Sequence, residues 1–244
     1  VQIRNIGTIA GNIATASPIG DTLPLLLSLD AKVVLQKKSK KTILPLKNFF
    51  VSYRKTKLKK GQFIHSIIIP IFKNNIFKAY KVSKRIDDDI SSVCASFNVE
   101  IKNNKIKKIK VAYGGMANIP QRAVNCEKIL LNSFLSDNTI NKAKKSLEKD
   151  FKPITDARAS QKYRMEIAKN LLEKCFQEIK QKKLIRINKP IKKIKTGGTA
   201  LVLFLIFLMG LFAETVRTLP AGASNEYYRE FFDIPKLSPD IYDD

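Results

Sequence analysis

Hydrophobic and polar positions along this chain change their period partway through. In FKAYKVSK (77–84), ISSVCASFNVEIK (90–102) and KIKKIKVAYGG (105–115) apolar residues alternate with polar ones, a period of two that predicts three strands of a meander. Asn103-Asn104 lies between the last two runs, and Asn tolerates positive φ, so a tight hairpin is expected there. From residue 120 the spacing becomes helical. PQRAVNCEKILLN (120–132) has Pro at its first turn, SDNTINKAKKSLEKD (136–150) opens on the capping types Ser and Asp, and SQKYRMEIAKNLLEKCFQEIKQ (160–181) places Tyr163, Ile167, Leu171, Leu172 and Cys175 on one face. Strands followed by helices predict an α+β layer, an antiparallel sheet with three helices on one face.

Upstream the elements are shorter. TLPLLLSLDA (22–31) predicts a short apolar helix, which Asp21 or Thr22 can cap because a side-chain oxygen there can accept from first-turn N–H groups. AKVVLQ (31–36) reads as a strand, KKSKK (37–41) as a solvated turn before TILPL. FFVSYRKTKLKKGQFIHSIIIP then reads as an aromatic-headed segment, a basic turn ending at Gly61 and a β-branched run stopped by Pro70.

Residues 8–21, TIAGNIATASPIGD, depart from these patterns: they hold no lysine and are filled with Gly, Ala, Ser, Thr and Asn. Small side chains let main-chain N–H groups approach a ligand, while Thr, Asn and Asp supply fixed polar atoms. That is the composition of a binding loop, and an ordinary Gly/Ala turn shares it.

Charge shifts at Lys195. The chain carries +24 overall, and from Thr196 onward it has 3 basic and 7 acidic residues. Residues 196–213, TGGTALVLFLIFLMGLFA, hold no charge over 18 positions, which is the lower limit for a membrane-spanning helix. The basic flank KPIKKIK and the small-residue LPAGAS (219–224) equally resemble a secretory signal with its cleavage site, at the wrong end of the chain, and two unrelated coding stretches joined together would also explain the break. The expected layout is a basic linker over 182–195, a C-terminal hydrophobic helix over 196–216 (a membrane anchor or signal-like segment) and an acidic tail over 217–244.

A charge of +24 suggests nucleic acid. However, the lysines are spread through every element beside Ile and Asn, as an AT-rich genome would leave them, and are not interleaved with stacking aromatics as a single-strand binder needs. No nucleic-acid partner is expected. Cys94, Cys126 and Cys175 are too far apart for a C-x-x-C motif, and their odd number argues against a disulfide framework, so reduced thiols in a cytoplasmic protein are expected. The one histidine, His65, lies in the run FIHSIIIP and reads as a strand residue; a protein-held metal site and a Ser-His-Asp hydrolase both lack ligands or a base.

Five stretches, in order, resemble one family: QIRNIGTIAGNIATASPIGD (2–21), SYRKTKLKKGQFI (52–64), AYKVSKRIDDDIS (79–91), VAYGGMANIPQRA (111–123) and ITDARASQKYR (154–164). They are similar to the FAD-binding region of the molybdenum hydroxylases. The YRKT, KRxDDDI and DxRASxxYR forms favour the branch of the bacterial xanthine dehydrogenase small subunit over the carbon monoxide dehydrogenase-like and aromatic CoA reductase branches. The resemblance implies a second FAD-binding subdomain over 1–74 and a C-terminal α+β domain of the flavoprotein over 75–181. The family's first FAD subdomain and iron–sulfur domain are expected to precede Val1, so the chain alone is expected to bind FAD poorly.

Carried over onto this sequence, the resemblance implies FAD contacts from Thr8, Gly11, Asn12, Thr15 and Asp21. Where the family has two adjacent glycines this chain has Ala10 before Gly11, which is tolerable only at negative φ. Lys81 falls at the flavin-proximal position, where an ammonium stabilises the electron-rich edge of a reduced flavin. Asp88, in the run Asp87-Asp88-Asp89, is implied beside the isoalloxazine. Asp156, Arg158, Tyr163 and Arg164 are expected to hold the last helix to the sheet, and the glycines of YGGMA to allow close packing.

The activity that the resemblance implies is that of an oxidoreductase: an enzyme that oxidises a purine at a molybdenum cofactor on a large subunit, passes electrons through [2Fe-2S] clusters on an iron–sulfur domain or subunit to FAD, and reduces NAD. No residue of this chain need act as acid or base in the last step. A basic binding module and a membrane-anchored protein with contact through 196–216 are the competing classes.

Overall fold

The computed structural model describes residues 6–85 and 89–187, with side chains through residue 181. These residues belong to one compact unit, Val1–Lys189. The hydrophobic segment 196–216 and the acidic tail lie outside them. Among the described residues no helix is long and apolar enough to cross a membrane.

The first half of the small-residue stretch is a helix rather than an open loop. Helix α1, Ile9–Thr15, begins at Thr8, whose backbone is extended and whose side chain accepts the Gly11 N–H at 2.9 Å. It ends where Ala16 turns left-handed at φ 49° and its N–H bonds back to Ile13. Ala10 lies inside the helix, so the negative φ required of it holds. Helix α2, Thr22–Ser28, comes directly after and buries Leu23, Leu26 and Leu27.

Strands β1 (Lys32–Lys37) and β2 (Lys40–Pro45) form a hairpin through Lys38 at φ 51°, and β5 (Phe63–Ile68) pairs with the other edge of β1. All three run antiparallel. Between them β3 (Phe50–Ser52) and β4 (Lys55–Thr56) make a separate small hairpin. Under this sheet Val33, Leu35, Leu46, Phe49 and Phe50 join Ile13, Ala16 and Leu23, Leu26 and Leu27 of α2 in one buried cluster that also contains Ala112. At about 1.5–3 kcal/mol for each large apolar side chain removed from water, this cluster holds the short elements in place.

The second sheet has the order β6-β7-β8-β9: Ile76–Val82, Val93–Lys102, Lys105–Gly114 and Gln121–Arg122, all antiparallel. Lys102 pairs Lys105, and Asn103 and Asn104 take φ 51° and 60°, the two positive values that a two-residue hairpin of matching twist requires. Helices α3 (Val124–Leu130), α4 (Asp137–Asp150) and α5 (Gln161–Ile187) complete the described residues. Ser136 caps α4 through the Thr139 N–H. The Asp150 carboxylate ends α4 but accepts the N–H groups of Asn125 and Cys126, tying it to the start of α3.

Two expectations are corrected. Pro120 does not start a helix: residues 121–122 extend the sheet as β9, and α3 begins at Val124. The sheet is also covered on both faces. Every residue of β7 from Val93 to Val99 is buried. On one side Phe97 stacks edge-on between Tyr80 and Tyr113, and Tyr113 donates to the Ala168 carbonyl of α5 at 2.9 Å. On the other, Ser96 and Asn98 bond to Ser28 of α2, at 2.7 and 3.1 Å. The polar residues that make β7 look solvent-facing are spent on a buried helix end.

Candidate functional site

Asp21 occupies the N-cap position of α2 but does not cap it. Its backbone is already helical at φ −64°, which turns the carboxylate away from the first-turn N–H groups. One oxygen accepts from Lys81 Nζ at 2.9 Å, the other from the Ser91 hydroxyl. A residue that breaks a local rule in favour of distant partners marks a place where tertiary demands win.

The sheet register delivers those partners. Lys81 pairs Cys94 at the end of β6, so its side chain leaves the sheet on the α2 side, whereas its neighbour Tyr80 packs against Phe97 on the α5 side. Lys81 also donates to the Asp89 carbonyl at 2.6 Å. Asp89 in turn closes its own turn: the N–H groups of Arg85 and Ile90 hold its carboxyl below the usual carboxylate range. Ser91 is buried, and the Cys94 thiol, 3.6 Å from the Asp21 carbonyl, is pushed up first by burial and then by the Asp21 charge.

The other predicted residues form a chain leading to this cluster. Thr8 accepts from Gly11 N–H, and the Gly11 carbonyl accepts from the Thr15 hydroxyl at 2.8 Å; all three are exposed. A Cβ on Gly11 would come within 2.9 Å of Thr8 Oγ1, so glycine keeps the cap intact. Asn12 Oδ1 accepts from the Thr22 hydroxyl, joining α1 to the start of α2 beside Asp21. The structure thus brings together Asn12, Asp21 and Lys81 through direct or one-residue links and sets Thr8, Gly11 and Thr15 along one exposed edge. Asp88 lies outside the described residues.

Sequence reasoning missed Ser91 and the Asp89 carbonyl. Both stand in the quoted AYKVSKRIDDDIS segment, yet a serine and a backbone oxygen carry no pattern of their own. It also read Gly115 as packing, although Gly115 takes φ 79° and its N–H donates to the Pro18 carbonyl at 2.7 Å, fixing the turn before Asp21. Arg164, at the start of α5, reaches the sheet as expected and donates to the Ser92 and Gly115 carbonyls. Among the described residues no group of His, Cys, Asp and Glu is arranged for a metal, and the three cysteines are buried and free. A separate groove near Glu148, Ser160 and Lys169 shares no residue with the cluster.

The exposed edge of Thr8, Gly11 and Thr15 offers two hydroxyls to a hydrogen-bonding ligand, and the Asp21–Lys81 pair adds an accepting carboxylate and a donating ammonium. These residue types fit FAD.

Comparison with known proteins gives the same frame. Residues 1–72 match the family model described as the FAD binding domain in molybdopterin dehydrogenase, and residues 78–179 that of the CO dehydrogenase flavoprotein C-terminal domain. The chain is 38% identical over 154 residues to a xanthine dehydrogenase of Emericella nidulans, covering 62% of this chain and 11% of that protein. It is 31% identical over 179 residues to the glyceraldehyde dehydrogenase medium chain of Sulfolobus acidocaldarius, covering 73% and 63% respectively. Among solved structures, reconstituted CO dehydrogenase from Oligotropha carboxidovorans superposes with a TM-score of 0.67 at 25% identity, over 71% of this chain and 60% of that one. The chain therefore spans about a tenth of the first relative's length and about three fifths of the other two.

Proposed function

We propose, for a chain that belongs to the FAD-binding family of the molybdopterin dehydrogenases, that it supplies the FAD-carrying part of a xanthine dehydrogenase-type molybdenum hydroxylase. The single observation that carries this reading is the meeting of Asp21 and Lys81, because Asp21 belongs to the first matched region and Lys81 to the second. Residues 1–74 and 75–181 are read as the two pieces of the flavoprotein, and their shared cluster as the place where both touch the cofactor.

In this reading Thr8, Gly11, Asn12 and Thr15 hold the phosphate and ribityl groups through hydroxyls and main-chain atoms, and Asp21 accepts from ligand hydroxyls. FAD, when bound, supplies the electron transfer and hydride chemistry. The residues of this chain position and bias it. Lys81, anchored by Asp21 and the Asp89 carbonyl, sets a positive charge where negative charge collects on reduction, while Ser91 keeps the carboxylate from swinging away. Asp88 is read as tuning the field on the open side.

The intact enzyme is read as taking electrons from a purine at a molybdenum cofactor on a partner chain, through [2Fe-2S] clusters, and delivering hydride to NAD. The 38% identity to a xanthine dehydrogenase supports this substrate class. The match of residues 78–179 to the CO dehydrogenase flavoprotein domain supports the second reading, a carbon monoxide dehydrogenase-like flavoprotein. Anaerobic addition of NADH to the FAD-incubated, desalted chain tests the proposal: bleaching of retained flavin bands is expected, and retained bands that NADH leaves unchanged would contradict the NAD step alone.

A further inference from the structure

Arg164 is a buried cation between α5 and the sheet. Its side chain is 1% exposed and is among the largest fully buried ones in the described structure. It lies on the first turn of α5, where a large apolar residue would fasten helix to sheet without desolvating a charge; replacing buried ionic groups by apolar ones of similar volume is often neutral or stabilising. Its Nε also has no hydrogen-bond partner, a cost that simple fastening does not require.

The two terminal nitrogens show what the charge is used for. Nη1 donates to the carbonyls of Ser92 and of Gly115, the latter at 3.1 Å, and Nη2 donates to Asp156 Oδ1 at 2.7 Å. Each of the two carbonyls belongs to a segment that ends at the candidate site. Ser92 is next to Ser91, which holds the Asp21 carboxylate, and its own N–H bonds to the Val82 carbonyl next to Lys81. Gly115 donates its N–H to Pro18, three residues before Asp21. Asp156 is itself set by the N–H groups of Arg158 and Ala159, so the fork has a fixed base. A planar guanidinium spreads its donors over separate nitrogens in fixed directions, whereas an ammonium must serve all its acceptors from one freely rotating nitrogen.

We propose that Arg164 is a positioning residue that sets the Asp21–Lys81–Ser91 cluster in register by fixing the Ser92 and Gly115 carbonyls together; its consequence for FAD rests on the reading given above. It touches neither carboxylate nor ammonium of that cluster, and acts through the two backbone segments that present them.

The test uses the full chain and Arg164→Lys, with two readouts. Amide hydrogen exchange is expected to show protection at Gly115 and Ser92 falling about tenfold or more while amides of α5 around Leu172 keep theirs. Unchanged protection at Gly115 and Ser92 would overturn the proposal, as would losses confined to α5, which is what a helix fastener predicts. In FAD titrations Arg164→Lys is expected to weaken binding about tenfold in the wild-type background and to add nothing in Asp21→Ala, because residues in one network do not add. Full additivity would overturn the proposal even if FAD binds. If the wild-type chain binds no FAD, the flavin reading fails, and the exchange result alone decides the brace in either direction. Should Arg164→Lys not fold, Asp156→Asn, which keeps the accepting oxygen, is expected to give both effects at reduced size, and no effect would count against the proposal.

Discussion

Lys81 Nζ and Asp21 Oδ2 meet at 2.9 Å, and the two residues come from opposite sides of the break between the chain's two matched regions. Asp21 makes no capping bond to α2 and spends its carboxylate on this pair and on Ser91, and Lys81 remains 39% exposed. Removing the ammonium leaves the carboxylate held by Ser91 alone, with no positive charge beside the proposed flavin edge. Lys81→Met is therefore expected to lower the midpoint potential of bound FAD by about 30 mV, the equivalent of tenfold for a two-electron couple, in an anaerobic redox titration. An unchanged potential would remove Lys81 from the site.

Gly115 and Gly61 share a left-handed backbone, at φ 79° and 78°, but not a neighbourhood. A Cβ on Gly115 would collide with the Ser92 carbonyl oxygen and press on Arg164 Nη1, whereas one on Gly61 would meet nothing nearer than Lys37 Cε at 3.5 Å. Urea denaturation should show Gly61→Ala costing about 1–2 kcal/mol, the left-handed penalty alone. Gly115→Ala is expected to cost about 3 kcal/mol or more, since backbone must also shift. Equal losses would mean that the Ser92 carbonyl is free to move.

Asp156 has a lowered carboxyl value. Burial raises it, but the donors from Arg158, Arg164 and Ala159 together outweigh burial. A carboxyl held below its unfolded value stabilises the fold above that value, near 3.8, and the contribution is lost as pH falls through the folded value. Melting temperatures of the wild type and Asp156→Asn should thus differ at pH 6 and converge below about pH 4. A gap that stays constant down to pH 3 would contradict the assignment.

Cys94, Cys126 and Cys175 are all buried and unbridged, and burial pushes each thiol well above its ordinary value. Thiolate, the reactive form, is scarce and inaccessible. A thiol-reactive dye at pH 8 is expected to label none of them quickly in the native chain and all three in denaturant. Fast labelling of one in the native state would show local opening at that position.

Much of the fold was legible because its signals are local. Asn103-Asn104 announces its hairpin by the φ values that Asn accepts, and Ser136 announces the start of α4 by its hydroxyl. What was not legible depends on partners far along the chain. Ser96 and Asn98 look like the outer face of a strand until α2 arrives to cover them. Residues 121–122 look like a helix start until β8 offers an edge to pair with. The site divides the same way: a stretch free of lysine drew attention to Thr8, Gly11 and Asn12, whereas Ser91 and the Gly115 N–H work through contacts that no spacing records. Asp21 was identified by resemblance and also read as a cap, and the structure shows its carboxylate bonded to Lys81 and Ser91 instead.

FAD affinity of the full chain tests the central claim most directly, measured by flavin fluorescence titration of the wild type, Asn12→Ala, Asp21→Ala and the control Lys108→Ala, which removes an exposed charge far along β8 from Gly114. The account expects saturable binding by the wild type and the control, and a loss of about tenfold or more in Asn12→Ala and Asp21→Ala. No saturable binding by the wild type, or equal affinity in all four proteins, would contradict it.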